Sequence, residues 1–309
     1  MFKLFSGTSN PSLSKEISKL LDIPLASSEV VRFENSEIRV RIREDVRHNP
    51  CVLIQSTSNP TDTHLMELFF FSDALRRQEA KKVIAIVPYF GYARQDVQHR
   101  TGECVSANVV IRFLEAIGLA KVYTINLHDE ATEGVFSIPF KNIDAFPVLA
   151  QEIKKYIGNV STDSVGVVSP DHGGVERARK FSDELFGHQN HTIAVVEKKR
   201  DLQHIHLSKA LDLYGDVKGK TAILVDDMIT SGGTIVHAAQ LCLERGAKQV
   251  LAAVIHHDFG PEAPSLLQSS PIARFFTTNT IALKDDQKFE KLHEASIAPL
   301  IAQELKHLI

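Results

Sequence analysis

The stretch VDDMITSGGT, from Val225 to Thr234, joins an apolar run to two adjacent aspartates and a turn rich in hydroxyls and glycines. Ile223 to Val225 end a short strand of the kind that a parallel sheet buries on both faces. A helical pattern starts at Ile235, so the turn connects the carboxyl end of a strand to the N-terminus of a helix. Open α/β sheets bind ligands at this edge. The stretch therefore predicts an α/β fold with a ligand site at the turn.

The chemistry of this turn is typical of a sugar-phosphate site. An anion suits its backbone N–H groups and hydroxyls, because a helix N-terminus attracts negative charge. Asp226 and Asp227 would repel a phosphate, but carboxylates accept hydrogen bonds from the vicinal hydroxyls of a ribose. The candidate phosphate ligands are Thr230, Ser231, Gly232, Gly233 and Thr234. The alternative is a structural turn capped by Thr230 or Ser231, with surface aspartates beside it.

The composition is that of a globular protein with ample core. The 309 residues are 43% hydrophobic and 24% charged, and the formal net charge of −3 gives no broad basic field. Nucleic acid and membrane surfaces are therefore not expected as partners. Cys51, Cys104 and Cys242 are too few and too widely spaced for a disulfide or zinc framework. Without a signal peptide or a membrane-spanning run, the expected location is the cytoplasm.

Strand-like runs alternate with helical patterns along the chain, which is typical of parallel βαβ units. The predicted strands are Cys51–Gln55, Val83–Val87, Val122–Asn126, Val165–Val168, Thr192–Val196, Thr221–Val225 and Val250–Ile255. The predicted helices are Thr63–Glu79, Ser106–Ala116, Val148–Tyr156, Val175–Phe186 and Ile235–Arg245.

The two halves of the chain repeat one pattern. VIAIVPYFGYARQD in the first half and SVGVVSPDHGGVERAR in the second each place a proline, an aromatic or histidine, a glycine and an arginine after a strand. We therefore predict two similar α/β domains, each a mostly parallel sheet flanked by helices. The expected domains are residues 1–143, with residues 296–309 packing back on them, and residues 144–295.

The segment PYFGYARQD, residues 88–96, follows a predicted strand and suits a nucleotide. Arg94 and Gln95 match phosphate and base edges. The rings available for stacking are those of Tyr89, Phe90 and Tyr92. An ordinary loop in which Arg94 pairs with Asp96 at the surface is the alternative.

Five motifs carry a resemblance over nearly the whole chain: FENSEI, QSTSNPTDTHLMEL, PYFGYARQD, VSPDHGGVERARK and VDDMITSGGT. Their order is similar to that in ribose-phosphate pyrophosphokinases, also called phosphoribosyl-pyrophosphate synthetases. The resemblance implies two phosphoribosyltransferase-type domains, with the ATP site in the N-terminal one and the ribose 5-phosphate loop in the C-terminal one. It also implies transfer of the terminal two phosphates of ATP to the anomeric hydroxyl of ribose 5-phosphate, with release of AMP, in nucleotide biosynthesis.

The resemblance assigns roles to particular residues. Adenine would be held by Phe33, Asn35 and Glu37 of a neighbouring subunit, and Arg94 with Gln95 would continue the ATP site. For Phe33 alone, a core ring on a strand is the alternative. Family members form homodimers that build hexamers, and the same assembly is implied here.

Catalytic and metal-binding roles come from the same resemblance. Lys198 and Arg200, in EKKR, match the catalytic cations. His128 matches the family's metal-associated histidine, although a lone histidine after a strand is often structural. Asp171 matches its metal or ribose carboxylate, and oxygen ligands with phosphates suit Mg²⁺.

The chain departs from the family pattern in several segments, and two rival functions stay open. Asn35 replaces an aspartate, residues 97–102 are poor in lysine and arginine, and LHDEATEGVF adds acids at Asp129, Glu130 and Glu133. A non-catalytic regulatory homologue is one alternative. A phosphoribosyltransferase is the other, although the ATP-site motifs argue against it.

Overall fold

The structure is a computed structural model that describes residues 2–158, 160–187, 191–198 and 210–308. It divides into two compact units. Unit 1 comprises Met1–Asp144, Thr280–Ala282 and Ser296–Ile309, and unit 2 comprises Ala145–Asn279 and Leu283–Ala295. Arg200 and the side chain of Lys198, the predicted catalytic cations, lie outside the described residues. No helix in the described ranges is long and apolar enough to cross a membrane.

Unit 1 is built on a five-stranded sheet with the order β1-β4-β5-β6-β7, and all its strand pairs are parallel. A separate antiparallel hairpin is formed by β2 and β3. The strands are β1 Lys3–Ser6, β2 Ser28–Arg32, β3 Ile38–Ile42, β4 Pro50–Ile54, β5 Lys82–Val87, β6 Leu119–Ile125 and β7 Phe140–Ile143. The helices, numbered along the whole chain, are α1 Pro11–Leu21, α2 Thr61–Arg77, α3 Ser106–Ala116 and α8 Ala298–Lys306.

Unit 2 is built on a seven-stranded sheet with the order β10-β9-β8-β11-β12-β13-β14. Its pairs are parallel except for the edge pair β9–β10. The strands are β8 Val165–Ser169, β9 Ala194–Lys198, β10 Ala210–Tyr214, β11 Thr221–Ile229, β12 Gln249–His257, β13 Ile272–Thr278 and β14 Leu292–Ala295. The helices are α4 Phe146–Ile157, α5 Val175–Phe186, α6 Gly233–Glu244 and α7 Ala263–Ser269.

These sheets confirm the predicted α/β class. The central strands β4, β5 and β8 are buried almost throughout, as expected for strands covered on both faces. Helices α3 and α5 have the predicted bounds, because each starts at a turn and shows clear apolar spacing.

The prediction for β11 was wrong at its end. The strand continues through Asp226 and Asp227 to Ile229 instead of ending at Val225. Its partner β12 is equally long, and the parallel pairing runs from Thr221 to Ile229. Polar side chains do not end a strand whose backbone still has a partner.

Two adjacent histidines lie where β12 ends. The side chain of His257 is fully buried, and its Nδ1 lies 3.2 Å from Thr277 Oγ1. Its Nε2 is 3.9 Å from Glu294 Oε1, too far for a hydrogen bond. Burial lowers the pKa of His257 from 6.5 to about 4, and the charge of His256 acts in the same direction. The imidazole is therefore neutral in the folded protein at physiological pH.

This burial predicts an acid-sensitive fold. Between about pH 6.5 and 4 the unfolded chain binds a proton at His257 that the folded chain does not bind, so the free energy of unfolding falls as the pH falls. At 1.36 kcal/mol per pKa unit, the loss is on the order of 3 kcal/mol. Urea unfolding at fixed protein concentration across this pH range measures it.

His257→Gln removes the titrating group, so its stability is expected to vary less with pH than that of the unmodified protein. The matched control is His237→Gln, which replaces an exposed histidine of the same unit. Equal pH slopes for His257→Gln and the unmodified protein would contradict the assignment.

Candidate active site

The two aspartates of β11 lie together in a buried setting. The side chain of Asp227 is 4% exposed and that of Asp226 is 20% exposed. The guanidinium Nη2 of Arg177 lies 3.3 Å from Asp226 Oδ1 and 3.2 Å from Asp227 Oδ1. The burial of Asp227 contradicts the alternative of surface aspartates beside a structural turn.

The electrostatics of this group are set by burial and by carboxylate repulsion. Burial raises the pKa of Asp226 well above its usual value, and the charge of Asp227 raises it further. Arg177 opposes this shift, while Asp171 adds to it. Asp171, Asp226, Asp227 and Arg177 therefore form one electrostatic cluster, which we call the acid cluster.

Arg177 is the residue that sequence reasoning missed. It lies in the first turn of α5, within the motif VSPDHGGVERARK. Two buried carboxylates require a cation nearby. The sequence alone did not show that Asp227 is buried, so this requirement could not be seen.

The predicted phosphate loop follows directly on the acid cluster. Gly232 is the N-cap residue of α6, with φ of 84°, a backbone conformation that favours glycine. Among the described residues no side chain caps this helix, so the alternative of a cap by Thr230 or Ser231 is wrong. The start of the loop is held by a backbone hydrogen bond, which Gly260 N donates to Thr230 O at 3.0 Å. The helix N-terminus thus presents backbone N–H groups without a competing side-chain oxygen.

Asp171 follows β8 at the same edge of the sheet. Its Oδ1 accepts a hydrogen bond from Gly174 N at 3.0 Å, which caps the 3-10 helix His172–Gly174. Ser169 Oγ donates to Asp171 O at 2.6 Å. A Cβ on Gly174 would come within 2.7 Å of Ser169 Oγ, so the glycine allows this turn to close tightly. The position of the Asp171 carboxylate is therefore fixed by local hydrogen bonds.

In the PYFGYARQD loop of unit 1, two of the three rings predicted to be available for stacking are buried. Tyr89 and Phe90 are 8% and 4% exposed, so they are not available for stacking on a base. The Phe90 ring packs edge-on against Phe136, with 6.0 Å between centroids. Gly91 explains why the chain turns inward: its N donates to Thr57 Oγ1 at 2.7 Å, and a Cβ there would lie 2.4 Å from Thr57 O.

The polar part of this loop faces outward. Arg94 and Gln95 are exposed. Gln95 is held by two hydrogen bonds. Its side-chain Oε1 accepts one from Ser106 Oγ, and its backbone O accepts one from Ala107 N at 3.1 Å. Arg94 therefore lies next to a residue anchored to the start of α3.

Phe33, Asn35 and Glu37 share the tip of the β2–β3 hairpin. Phe33 is 43% exposed, so the alternative of a core ring is wrong. Phe33 N donates to Glu37 O at 2.8 Å, and Asn35 Oδ1 accepts from Glu37 N at 3.2 Å. The guanidinium carbon of Arg39 lies 5.7 Å from the centroid of the Phe33 ring. The turn is thus ordered by its own hydrogen bonds while its aromatic ring remains accessible.

His128 follows β6 in unit 1 and is half-buried. Beside it, Asp129 caps the 3-10 helix Glu130–Val135 by accepting from Ala131 N at 2.8 Å. One of the additional acids in this segment therefore has a structural role. Glu130 and Glu133 are exposed.

In unit 2 the structure brings some of the predicted site residues together. Unit 2 gathers the two aspartates of β11, Asp171 and the phosphate loop. Unit 1 holds the hairpin tip, the pair Arg94–Gln95 and His128. In the described part of the chain, no group of three or more histidine, cysteine, aspartate or glutamate side chains forms a metal site by itself.

Comparison with known proteins agrees with this architecture. The model for the N-terminal domain of ribose phosphate pyrophosphokinase matches residues 2–118, and the model for the phosphoribosyl synthetase-associated domain matches residues 167–309. A ribose-phosphate pyrophosphokinase from Bacillus subtilis is 37% identical over 301 residues, which cover 97% of this chain and 92% of that protein. One from Bacillus caldolyticus is 40% identical with the same coverage.

Comparison with solved structures agrees with the sequence comparison. The crystal structure of phosphoribosylpyrophosphate synthetase from Mycobacterium smegmatis superimposes with a TM-score of 0.91 at 35% identity, covering 99% of this chain and 98% of that one. Family models match both halves of the sequence, and relatives well above 30% identity span nearly all of it. This chain therefore belongs to the ribose-phosphate pyrophosphokinase family.

Proposed function

We propose that this protein transfers the pyrophosphoryl group of ATP to the 1-hydroxyl of ribose 5-phosphate, giving 5-phosphoribosyl 1-pyrophosphate and AMP. The observation that carries the proposal is the acid cluster followed directly by the uncapped N-terminus of α6. The hydroxyl oxygen forms a bond to the β-phosphorus, the bond from that phosphorus to the α–β bridging oxygen breaks, and AMP leaves with that oxygen. The hydroxyl proton is released. The product supplies nucleotide biosynthesis.

Ribose 5-phosphate binds in unit 2 under this proposal. Its phosphate meets the residues Thr230, Ser231, Gly232, Gly233 and Thr234, where the helix N-terminus favours an anion. Its vicinal hydroxyls donate to Asp226 and Asp227, which Arg177 holds in place. The two ends of the ligand thus meet surroundings of opposite charge.

ATP binding is assigned to unit 1. The exposed Phe33 ring stacks on adenine, and Asn35 and Glu37 offer hydrogen bonds to the base edge. Arg94 presents its planar guanidinium to phosphate oxygens, and the anchored Gln95 adds an amide. Because the hairpin tip is ordered before ligand binding, little conformational entropy is lost there.

Charge neutralisation is the remaining requirement of the reaction. Lys198 and Arg200 keep this role as a proposal from the sequence: their cations offset the charge on the transferred group and on the departing oxygen of AMP. Phosphoryl transfer depends mainly on positioning and electrostatics, so a dedicated general base is not required.

The donor set fits Mg²⁺ brought in by the nucleotide. Mg²⁺ keeps several waters and usually takes one or two carboxylates together with substrate phosphates. Asp171 supplies such a carboxylate in unit 2, and His128 is the candidate in unit 1. When bound, the ion neutralises phosphate charge and orients the polyphosphate.

Assembly and location complete the proposal. We assign a homodimer that builds to a hexamer, with adenine held partly by a neighbouring subunit's hairpin, since Phe33 is exposed to solvent in a single chain. The cytoplasm is the expected location, because ATP and a sugar phosphate are both intracellular metabolites. The three cysteines are free thiols in the described chain, which agrees with a reducing compartment.

The reaction is tested by phosphorus NMR of the protein with ribose 5-phosphate and Mg-ATP. We expect the signals of AMP and of a sugar-linked diphosphate, and we expect Lys198→Ala to lose both. Lys155→Ala, which changes an exposed lysine on α4, is the control and should retain them. ATP binding without either product would identify the protein as a regulatory homologue.

Arg177→Met tests the acid cluster. Arg177 lowers the pKa of Asp226, so its loss raises that pKa and moves the acid limb of kcat/KM for ribose 5-phosphate to higher pH. At neutral pH we expect kcat/KM to fall at least about tenfold, or about 1.4 kcal/mol. The phosphate of the substrate also titrates, at about pH 6, but it does so equally in every variant. Arg179→Met is the matched control, since Arg179 pairs only loosely, at 3.6 Å, with Glu176. An unchanged acid limb in Arg177→Met contradicts the assignment.

Phe33→Ala tests adenine stacking. Stacking of a base on an aromatic ring contributes about 1–3 kcal/mol, so we expect KM for ATP to rise at least about fivefold. The KM for ribose 5-phosphate should stay unchanged. Leu20→Ala, at an exposed leucine of the same unit, is the control for loss of surface apolar area. Equal effects of both variants on ATP would rule out the stacking role.

A further inference from the structure

The residues that follow β4 hold the backbone of the residues that follow β5. The two strands are parallel neighbours, so their carboxyl ends meet at one edge of the sheet. Ser56 Oγ accepts a hydrogen bond from Tyr89 N at 3.0 Å, and Thr57 N donates one to Tyr89 O at 2.9 Å. The start of the PYFGYARQD loop is therefore attached to the end of β4 through both backbone groups of Tyr89.

The hydroxyl of Thr57 makes two further hydrogen bonds to this loop. Thr57 Oγ1 donates to Tyr89 O at 2.9 Å and accepts from Gly91 N at 2.7 Å. One oxygen atom thus bridges two backbone groups on either side of Phe90. Thr57 is 1% exposed and Gly91 is buried, so removal of the hydroxyl leaves Gly91 N without its acceptor in a buried setting. The loop can recover that hydrogen bond only by moving.

The loop also lies directly against the start of α2. A Cβ on Gly91 would come within 2.4 Å of Thr57 O and 2.6 Å of Thr61 Cγ2. The next residue, Tyr92, has a φ of 66°, a conformation that a residue other than glycine keeps only when its surroundings hold it. Tyr92 Oη donates a hydrogen bond to Asp62 in the first turn of α2. The segment before and at the start of α2 therefore determines where the loop lies.

Two turns connect this fixed part of the loop to Arg94. Ala93 N donates to Phe90 O at 3.4 Å, and Gln95 N donates to Tyr92 O at 3.0 Å. On the other side of Arg94, the Gln95 side chain is held at the start of α3. The exposed guanidinium of Arg94 is thus carried by a short backbone segment that is anchored on both sides.

We propose that Thr57 is a positioning residue for nucleotide binding: its hydroxyl fixes the loop so that Arg94 meets the phosphates of ATP without rearrangement. The inference rests on the proposed function, which gives Arg94 its contact with phosphate. A guanidinium binds phosphate oxygens through paired, directional hydrogen bonds, so a small displacement of the loop weakens them. A loop that is held in place before binding also loses little conformational entropy. Thr57 is buried and acts through the loop.

Equilibrium binding of Mg-ATP to the full chain, measured by isothermal titration calorimetry, tests the role of the hydroxyl. Thr57→Val keeps the branched shape of the side chain and removes the hydroxyl, so we expect the Kd for Mg-ATP to rise at least about fivefold. Thr57→Ser keeps the hydroxyl and should retain most of the affinity. Thr124→Val is the matched control, because Thr124 is a buried threonine of the same unit whose Oγ1 donates to Val87 O in β5 at 2.8 Å. It should bind Mg-ATP as the unmodified protein does.

A double-mutant cycle separates positioning from a general loss of stability. Arg94→Ala removes the guanidinium that the loop presents, so adding Thr57→Val to it should cause no further rise in the Kd for Mg-ATP. Additive effects of the two substitutions would show that Thr57 does not act through Arg94. The KM for ribose 5-phosphate should stay unchanged in Thr57→Val, because that substrate is assigned to unit 2.

Hydrogen exchange of the nucleotide-free protein measures the loop directly. Amides of residues 88–96 should exchange faster in Thr57→Val than in the unmodified protein, and Thr124→Val should leave them unchanged. An unchanged exchange rate, or an unchanged Kd for Mg-ATP in Thr57→Val, overturns the inference. An unmodified protein that binds no Mg-ATP overturns it together with the nucleotide site. If the affinities change as expected but no AMP forms, the result counts against the proposed reaction and not against the positioning role.

Discussion

The site in unit 2 depends on keeping two adjacent carboxylates inside a sheet. β11 pairs with β8 only as far as Leu224, whereas its pairing with β12 continues to Ile229. Beyond Leu224, one side of β11 is therefore open. The first turn of α5 approaches on that side and brings Arg177 to both aspartates. One cation faces two carboxylates, so negative charge is left uncompensated. Burial is the main cause that raises the pKa of Asp226, and the charge of Asp227 raises it further against the opposing effect of Arg177.

Under the proposed function, that uncompensated negative charge orients the sugar phosphate. A phosphate is repelled by the strand end but attracted by the N-terminus of α6, a few residues further along the chain. Hydroxyl groups show the opposite preference, since a carboxylate only accepts hydrogen bonds. Under the proposed function, specificity for a sugar phosphate thus arises from consecutive residues of opposite electrostatic character. The left-handed conformation at Gly232 is what permits the sharp change from strand to helix.

Much of this arrangement could be predicted from the sequence. Apolar runs located the central strands, and the spacing of α3 and α5 gave their bounds, because both signals are local. Contacts between distant segments were not predictable in the same way. The length of β11 depends on β12, and the position of Arg177 depends on where β8 ends. The sequence predicted that the rings of Tyr89 and Phe90 are available for stacking on a base. In the structure, Gly91 allows that loop to turn into the core, so both rings are buried.

At the corresponding sheet edge of unit 1, polar side chains contact the protein's own backbone. Thr57 Oγ1 donates to Tyr89 O at 2.9 Å, and Ser56 Oγ donates to Thr280 O at 2.8 Å. A Cβ on Gly7 would lie 2.1 Å from Gln55 Oε1, so the Gln55 side chain packs directly against the glycine backbone. Polar side chains that follow β4 therefore satisfy the protein's own backbone instead of a ligand. Under the proposed function, the groups that bind the nucleotide in unit 1 are those of exposed loops and of the β2–β3 hairpin. Such groups lie on the surface, where a second subunit can complete a site that one chain leaves open.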